Sequence, residues 1–366
     1  MTERTVLISG AGIAGATLAY WMARHGWRPT VVELAASPRS SGNPVDVRNE
    51  AVAVASKMGV MPALKAVATH ATGMRVIDSA GRSVARLPVG DGTEIPRGDL
   101  AVTLLDAARD DAEFLMNDTI TALDQDAYGV EVTFARAEPA RFDLVVGADG
   151  LHSTVRRLAF GPEGDFVHHL GLYVATVTLG GPSWSPDEVL LHNTPGRLLA
   201  VHPGRGTGLA AFIFRHPEVP GLDHRDTARQ RHIVTAAYES AGWRIPELLH
   251  RLSETDFYFD AVSRVTVPTW SRGRIALTGD AASCVSLFGD GSSLAMAGAY
   301  ALATSLADSA DLASGLRRYE AHHRKLTDPK QRHAARAAGL LVPRTRPGLT
   351  ARNAAARMWS STRAAA

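Results

Sequence analysis

A glycine-rich turn near the start of the chain constrains the fold more than any other feature of the sequence. The turn follows a short apolar strand, predicted over 5–9, and opens a segment with helical spacing over 14–25. It consists of Gly10, Ala11, Gly12, Ile13, Ala14 and Gly15. The first glycine allows a tight turn, the second lets a diphosphate approach the backbone, and the third lets helix and strand pack closely.

A carboxylate at the end of the next strand narrows the choice of ligand. Glu33 ends a strand predicted over 30–33, which completes a βαβ unit. A carboxylate there accepts a hydrogen bond from a free ribose 2′-hydroxyl and repels a 2′-phosphate. The turn and the N-terminus of its helix are therefore predicted to hold FAD or NAD. A glycine-rich turn without a ligand is the alternative.

The chain of 366 residues is long enough for two domains, and the rest of its sequence shows two kinds of strand pattern. Apolar strands over 143–147 and 274–278 resemble the first unit, whereas 166–265 holds strands separated by Gly/Pro turns, which favours an antiparallel sheet. We predict a discontinuous nucleotide-binding domain, an inserted sheet-rich domain and a C-terminal helical segment. Their boundaries are, in that order, 1–70 with 98–165 and 273–330; 71–97 with 166–272; and 331–366.

Composition excludes several function classes. The single cysteine, Cys284, rules out a disulfide framework and predicts a small buried side chain. The formal net charge of +2 gives no whole-molecule argument for nucleic acid. The sequence lacks the HExxH and GxSxG motifs of metalloproteases and serine hydrolases, which disfavours a metal site or hydrolase chemistry. The apolar stretch 6–23 is interpreted as part of the fold, and we expect a cytoplasmic protein without an integral membrane segment.

Two further motifs decide between the dinucleotides. Asp149 and Gly150 follow the strand at 143–147, and Gly279 and Asp280 follow the strand at 274–278. The second motif leads into a glycine-containing loop and a helix predicted over 294–306.

In this order and at these separations, the three motifs resemble the single-component FAD-dependent monooxygenases of the para-hydroxybenzoate hydroxylase-like family. The closest likeness is to its tetracycline-inactivating and polyketide-tailoring members, and it covers about residues 4–340. The resemblance implies an α/β fold. A Rossmann-like FAD-binding domain would be interleaved with a smaller antiparallel-sheet substrate domain and followed by C-terminal helices.

The resemblance also assigns cofactor contacts. The glycine turn would hold the FAD diphosphate and Glu33 the adenosine ribose. The remaining contacts fall on Asp46 beside the isoalloxazine, Arg97 near the phosphate and ribityl region, Asp149 in FAD and nicotinamide binding, Asp280 on the ribityl chain, and Gly289 and Gly291 in the flavin loop. The loop departs from the family pattern at Ser283, where many relatives have histidine, and at Leu287, where they have proline.

By the same resemblance, NADPH or NADH reduces the flavin. O2 then forms a flavin C4a-hydroperoxide that oxygenates an aromatic or polyketide-like small molecule. No catalytic side chain is assigned, because the flavin carries the chemistry. Nucleic acid is not an expected partner. The alternatives are a flavin-dependent reductase or dehydrogenase and a flavin-binding redox protein without oxygenation.

The C-terminal segment is basic. We predict one helix before Pro343 and another over 350–360. Apolar side chains are expected to dock them: Leu340 and Leu341 on the flavin domain, and Ala354, Met358 and Trp359 on the body of the protein. The alternative is a binding arm for an anionic membrane or nucleic acid, since the charge would then contact phosphate.

Overall fold

The computed structural model describes residues 4–37, 44–69, 71–88, 92–223, 225–284 and 290–364. The strands are β1 (Arg4–Ser9), β2 (Trp27–Glu33), β3 (Pro44–Val47), β4 (Gly73–Ile77), β5 (Ser83–Pro88), β6 (Thr93–Pro96), β7 (Glu113–Met116), β8 (Ile120–Gln125), β9 (Val130–Phe134), β10 (Ala140–Phe142), β11 (Leu144–Gly147), β12 (Val167–Thr178), β13 (Glu188–Thr194), β14 (Arg197–His202), β15 (Leu209–Arg215), β16 (Tyr258–Val265), β17 (Ser271–Arg272) and β18 (Ile275–Leu277).

The helices alternate with these strands in the first third of the chain and dominate the last. They are α1 (Ile13–Arg24), α2 (Glu50–Lys57), α3 (Met61–Ala66), α4 (Arg97–Ala108), α5 (Thr154–Ala159), α6 (Thr227–Tyr238), α7 (Ile245–Glu254), α8 (Gly291–Ala307), α9 (Leu312–Leu341) and α10 (Arg346–Ala364). Two 3₁₀ turns lie at Glu163–Asp165 and Gly279–Ala281. The predicted βαβ unit is confirmed as β1, α1 and β2.

A six-stranded sheet forms the first core, in the order β17-β18-β11-β1-β2-β7. All of its pairs are parallel except β17 with β18. Apolar residues such as Leu7, Ile8 and Val146 are fully buried in its centre, as expected for strands covered on both faces. The parallel pairing brings the carboxyl ends of β1, β11 and β18 to one edge, where ligands bind in sheets of this kind.

A seven-stranded sheet forms the second core, in the order β16-β12-β15-β14-β13-β4-β5. The predicted antiparallel arrangement is confirmed for its neighbours except one, since β13 runs parallel to β4. One face packs Phe212 and Phe214 against α6 and α7. The opposite face packs Val174 and Val262 with Ala338 of α9. The sheet is therefore buried on both sides. Two small antiparallel sheets complete the fold, β10-β9-β8 and β3-β6.

The C-terminal segment confirms the two predicted helices but not their predicted docking. Leu340 is 64% exposed, and Leu341 packs against the seven-stranded sheet rather than the flavin-binding side. Hydrogen bonds cause this orientation, because Arg215 of β15 donates to the carbonyl oxygens of Ala338 and Val342 (3.0 and 2.7 Å). Ala354 and Met358 are likewise exposed. The side chain of Trp359 lies outside the described residues.

Among the described residues, no helix combines the length and the apolarity needed to cross a bilayer.

Candidate functional site

The glycine turn between β1 and α1 owes its shape to two close approaches. Gly10 has a φ of +100°, and a Cβ there would lie 2.7 Å from the carbonyl oxygen of Ala148. A Cβ on Gly15 would lie 1.8 Å from the carbonyl oxygen of Gly10. Among the described residues, a Cβ on Gly12 would meet no atom within 4 Å. Gly10 and Gly15 therefore close the turn, whereas Gly12 leaves its outer face open.

The open face carries hydrogen-bond donors. No side chain in the described ranges caps the N-terminus of α1, and its first turn holds no acidic residue. The leading amides of that helix and its dipole therefore offer a site for an anion. Glu33 is fixed beside it, because its two carboxylate oxygens accept hydrogen bonds from the amides of Ala11 and Ala35 (2.9 and 2.8 Å). These donors and this carboxylate fit the diphosphate and ribose of an adenine dinucleotide.

Asp149 braces the edge of the sheet. Its carboxylate accepts hydrogen bonds from Ser153 Oγ (2.5 Å), the amide of Val155 (3.1 Å) and Ser9 Oγ (3.3 Å). Burial raises the pKa of the Asp149 carboxyl, and these hydrogen bonds oppose that rise. Asp149 thus ties β1 to the N-terminus of α5; its contact with a cofactor stays a prediction.

A buried arginine that our sequence analysis did not single out joins the second and third motifs. Arg156 is fully buried. Its guanidinium donates to the carbonyl oxygens of Leu151 (2.5 Å) and Ala281 (3.1 Å) and lies 3.7 Å from the Glu163 carboxylate. Burial lowers the pKa of Arg156, and the charge of Glu163 opposes that shift. Its only sequence signal is its position shortly after the Asp149 motif, where a surface arginine looks the same.

Asp280 lies in the 3₁₀ turn that follows β18. The preceding Gly279 has a φ of +58°, and a Cβ there would lie 2.8 Å from Cβ of Ala14 in α1. This close packing sets Asp280 next to the first glycine turn. Burial raises the pKa of the Asp280 carboxyl, while the positive charge of Arg97 and a hydrogen bond from Cys284 lower it. The structure thus brings together Arg97 and Asp280, and it confirms that Cys284 is buried.

The start of α8 is held by a charged cluster. The carbonyl oxygen of Asp46 accepts hydrogen bonds from the hydroxyls of Ser292 and Ser293, both at 2.8 Å. Arg48 and Lys330 pair with Asp290, just before Gly291, at 2.8 and 2.7 Å. Burial raises the pKa of Asp46, and the charge of Arg48 lowers it.

These contacts bring Asp46 and Gly291 together and tie α9 to the same place through Lys330. Gly289 and Leu287 lie outside the described residues, so their predicted roles are untested.

A second cluster crosses from the Asp149 segment to the seven-stranded sheet. His152 contacts the carboxylates of Glu163 (3.0 Å) and Asp260 (3.6 Å). Asp260 in turn accepts a hydrogen bond from the half-buried Tyr258 (2.9 Å). The two carboxylates raise the pKa of His152 to about 10. No sequence motif marked this cluster, because its members come from separate segments.

The fold and the edge of the parallel sheet define a dinucleotide-binding flavoprotein. Residues 3–328 match the model of the family described as "FAD binding domain", and the chain belongs to this family.

Similar proteins place it among the flavin-dependent monooxygenases. The chain is 39% identical over 321 residues to the Mycobacterium tuberculosis protein Rv1260, covering 84% of this chain and 86% of that protein. It is 33% identical over 339 residues to a flavin-dependent monooxygenase of Legionella longbeachae, covering 89% and 87%. The structure of tetracycline destructase Tet(55) superposes with a TM-score of 0.85 at 31% identity, over 97% of this chain and 96% of that one.

The predicted family and fold class are therefore confirmed, and FAD is the cofactor. The chain is a flavin-dependent monooxygenase of the para-hydroxybenzoate hydroxylase-like type.

Proposed function

We propose that the protein uses NADPH or NADH and O2 to place one oxygen atom on an aromatic or polyketide-like small molecule in the cytosol. The observation that carries the proposal is the position of two features at one edge of the parallel sheet. One is the open face of Gly12, and the other is Asp280 with the neighbouring charge of Arg97. A group as long as FAD can contact both. When bound, FAD supplies the hydride acceptor and the site of oxygen activation.

The residues at the sheet edge bind and orient the cofactor. The amides at the start of α1 would take the diphosphate and Glu33 the adenosine ribose. Asp280 would accept hydrogen bonds from the ribityl chain, and the positive charge of Arg97 opposes the rise in the pKa of Asp280 that burial causes. Asp46, Gly291 and the N-terminus of α8 would lie towards the ring system, where the positive end of a helix stabilises negative charge on reduced flavin.

The seven-stranded sheet would supply the wall of the substrate site. On the face that packs partly against α9, Val174 and Val262 form an apolar patch, with Tyr258 and Asp260 beside it. Such a wall excludes water from the reacting oxygen and accommodates a planar polycyclic ligand. In this arrangement 71–97 and 166–272 act as the substrate domain, and 1–70, 98–165 and 273–330 bind FAD.

Oxygen consumption coupled to product analysis tests this function. Purified protein should be yellow, release FAD on denaturation, and consume NADPH or NADH and O2 with a polycyclic substrate. Tetracycline is the first probe, because Tet(55) is a tetracycline destructase. Mass spectrometry should show incorporation of one atom from ¹⁸O2. Reduction of the substrate without incorporated ¹⁸O would instead identify a reductase. A flavin whose yellow colour is bleached by neither NADPH nor NADH would identify a redox protein without turnover.

A further inference from the structure

A basic cleft of about 460 Å³ lies beside the seven-stranded sheet, where this sheet meets α6 and the end of α9. Its lining includes Arg197, Arg215, His216, His232 and Ala236. This lining holds two arginines, two histidines and no carboxylate.

Among the described residues, the two arginines of the cleft have no acidic partner. Neither Arg197 nor Arg215 forms an ion pair there, whereas other arginines such as Arg24 and Arg82 pair with carboxylates. Both are only half-buried. Burial lowers the pKa of Arg215, and the nearby charge of Arg344 lowers it further. The cleft therefore concentrates positive charge that no side chain of the described residues neutralises.

Helix capping explains part of this arrangement but not all of it. Arg197 donates through Nε to the carbonyl oxygen of Ala237 near the end of α6, and Arg215 donates to Ala338 and Val342 at the end of α9. Each helix end carries roughly half a negative charge, so two ends offset about one of the three guanidinium charges including Arg344. About two positive charges remain, before either histidine is protonated.

Donors remain available to a ligand. Neither arginine uses all of its N–H groups in the capping contacts, since a guanidinium has five. His216 already donates through Nδ1 to the Pro217 carbonyl oxygen (2.7 Å), which leaves Nε2 for another partner. His232 is exposed on α6 at the mouth of the cleft.

We propose that this cleft binds a compact polyanion, with two or more phosphate or carboxylate charges. Guanidinium groups bind both kinds of oxyanion through paired N–H donors, and the cleft volume admits a ligand of several such groups. The site is independent of the oxygenation chemistry, because none of its residues contacts the cofactor edge of the six-stranded sheet.

Isothermal titration of the FAD-saturated protein tests the proposal, since bound FAD keeps the added anion away from the glycine turn. Pyrophosphate and citrate serve as the two probes and distinguish phosphate from carboxylate recognition. We expect saturable binding of one anion per chain by at least one probe. The absence of saturable binding by both would overturn the proposal.

Two single substitutions locate the bound anion. Ala236→Glu places a carboxylate in the lining without removing either arginine, and we expect it to weaken binding at least about tenfold by charge repulsion. Ala313→Glu adds the same charge at the opposite end of α9, where Ala313 is exposed, and should leave binding unchanged. Equal affinities for the two variants would show that the anion binds elsewhere.

Arg197→Gln, compared with the exposed Arg336→Gln, gives a second check that leaves the contacts of α9 intact. Only the first should weaken binding. If Arg197→Gln lowers the melting temperature yet binds the anion as the wild type does, Arg197 is only a helix cap and the site is refuted.

Discussion

The two large sheets bind their proposed ligands with different parts of their strands. In the six-stranded sheet, the residues assigned to FAD lie just beyond strand ends, as Glu33 ends β2 and Asp280 follows β18. In the seven-stranded sheet, the proposed substrate wall is a strand face that carries Val174 and Val262. Positions at strand ends must adopt particular backbone conformations, whereas positions on a face need only shape and polarity. This difference explains why one sheet carries motifs and the other does not.

The largest effect is expected from Gly15→Ala in the glycine turn. Its Cβ would lie 1.8 Å from the carbonyl oxygen of Gly10, so the backbone of α1 or β1 must move. We expect a loss of more than about 4 kcal/mol in unfolding free energy, measured by urea denaturation, and no bound FAD. Gly12→Ala is the matched control, because its Cβ would meet no atom of the described residues; it should fold normally yet purify colourless. A yellow Gly12→Ala protein would show that the first site is misassigned.

Truncation after Gly339 probes the other sheet. It removes the fully buried Val342 and breaks the hydrogen bond between Arg215 and the carbonyl oxygen of Val342. We expect a loss of about 3 kcal/mol in unfolding free energy, with the FAD absorbance spectrum retained. Unchanged melting, combined with salt-sensitive binding of anionic vesicles or DNA by the full chain alone, would instead identify the tail as a binding arm.

Asp280→Ala returns to the strand ends of the six-stranded sheet. A charged acceptor on the ribityl hydroxyls contributes about 1.5–3 kcal/mol, so the dissociation constant for FAD should rise roughly ten- to a hundredfold. Fluorescence titration of apoprotein with FAD measures it. Asp280→Asn keeps a hydrogen-bond acceptor, so its dissociation constant for FAD should lie between those of the wild type and Asp280→Ala. An unchanged affinity in Asp280→Ala would remove this residue from the site.

The smallest effect concerns the contact between the sheets. The pKa of His152 is raised from 6.5 to about 10 by Asp260 and Glu163, so its stabilising charge is fully present below pH 6.5 and is lost as pH rises towards 10. The side chain is 47% exposed, which limits the effect of His152→Gln to about 1 kcal/mol at pH 6. The difference from wild type should vanish near pH 10. A pH-independent loss in His152→Gln would exclude the ion pairs as its cause.

Much of the first sheet was predictable, because glycine spacing and strand-end carboxylates report backbone geometry directly. Glu33 and the helix after Gly15 were predicted from local sequence alone. The role of Arg156 was not predictable, because this residue joins the carbonyl oxygens of Leu151 and Ala281, which are distant from each other in sequence. The parallel pair of β13 with β4 and the exposure of Leu340 likewise depend on tertiary contacts that no local pattern records.

The strand order also determines when, during synthesis of the chain, the parallel sheet can be completed. β1 neighbours β11, and β11 neighbours β18, so the parallel sheet is completed only when residues 275–277 have left the ribosome. At about 5–20 residues per second, β1 waits roughly 15–50 seconds for that last parallel strand. Throughout that interval the apolar strands of the nascent chain lack their final partner, and Asp280 has not yet been made. An FAD site that includes Asp280 can therefore be complete only after this last parallel strand has been synthesised.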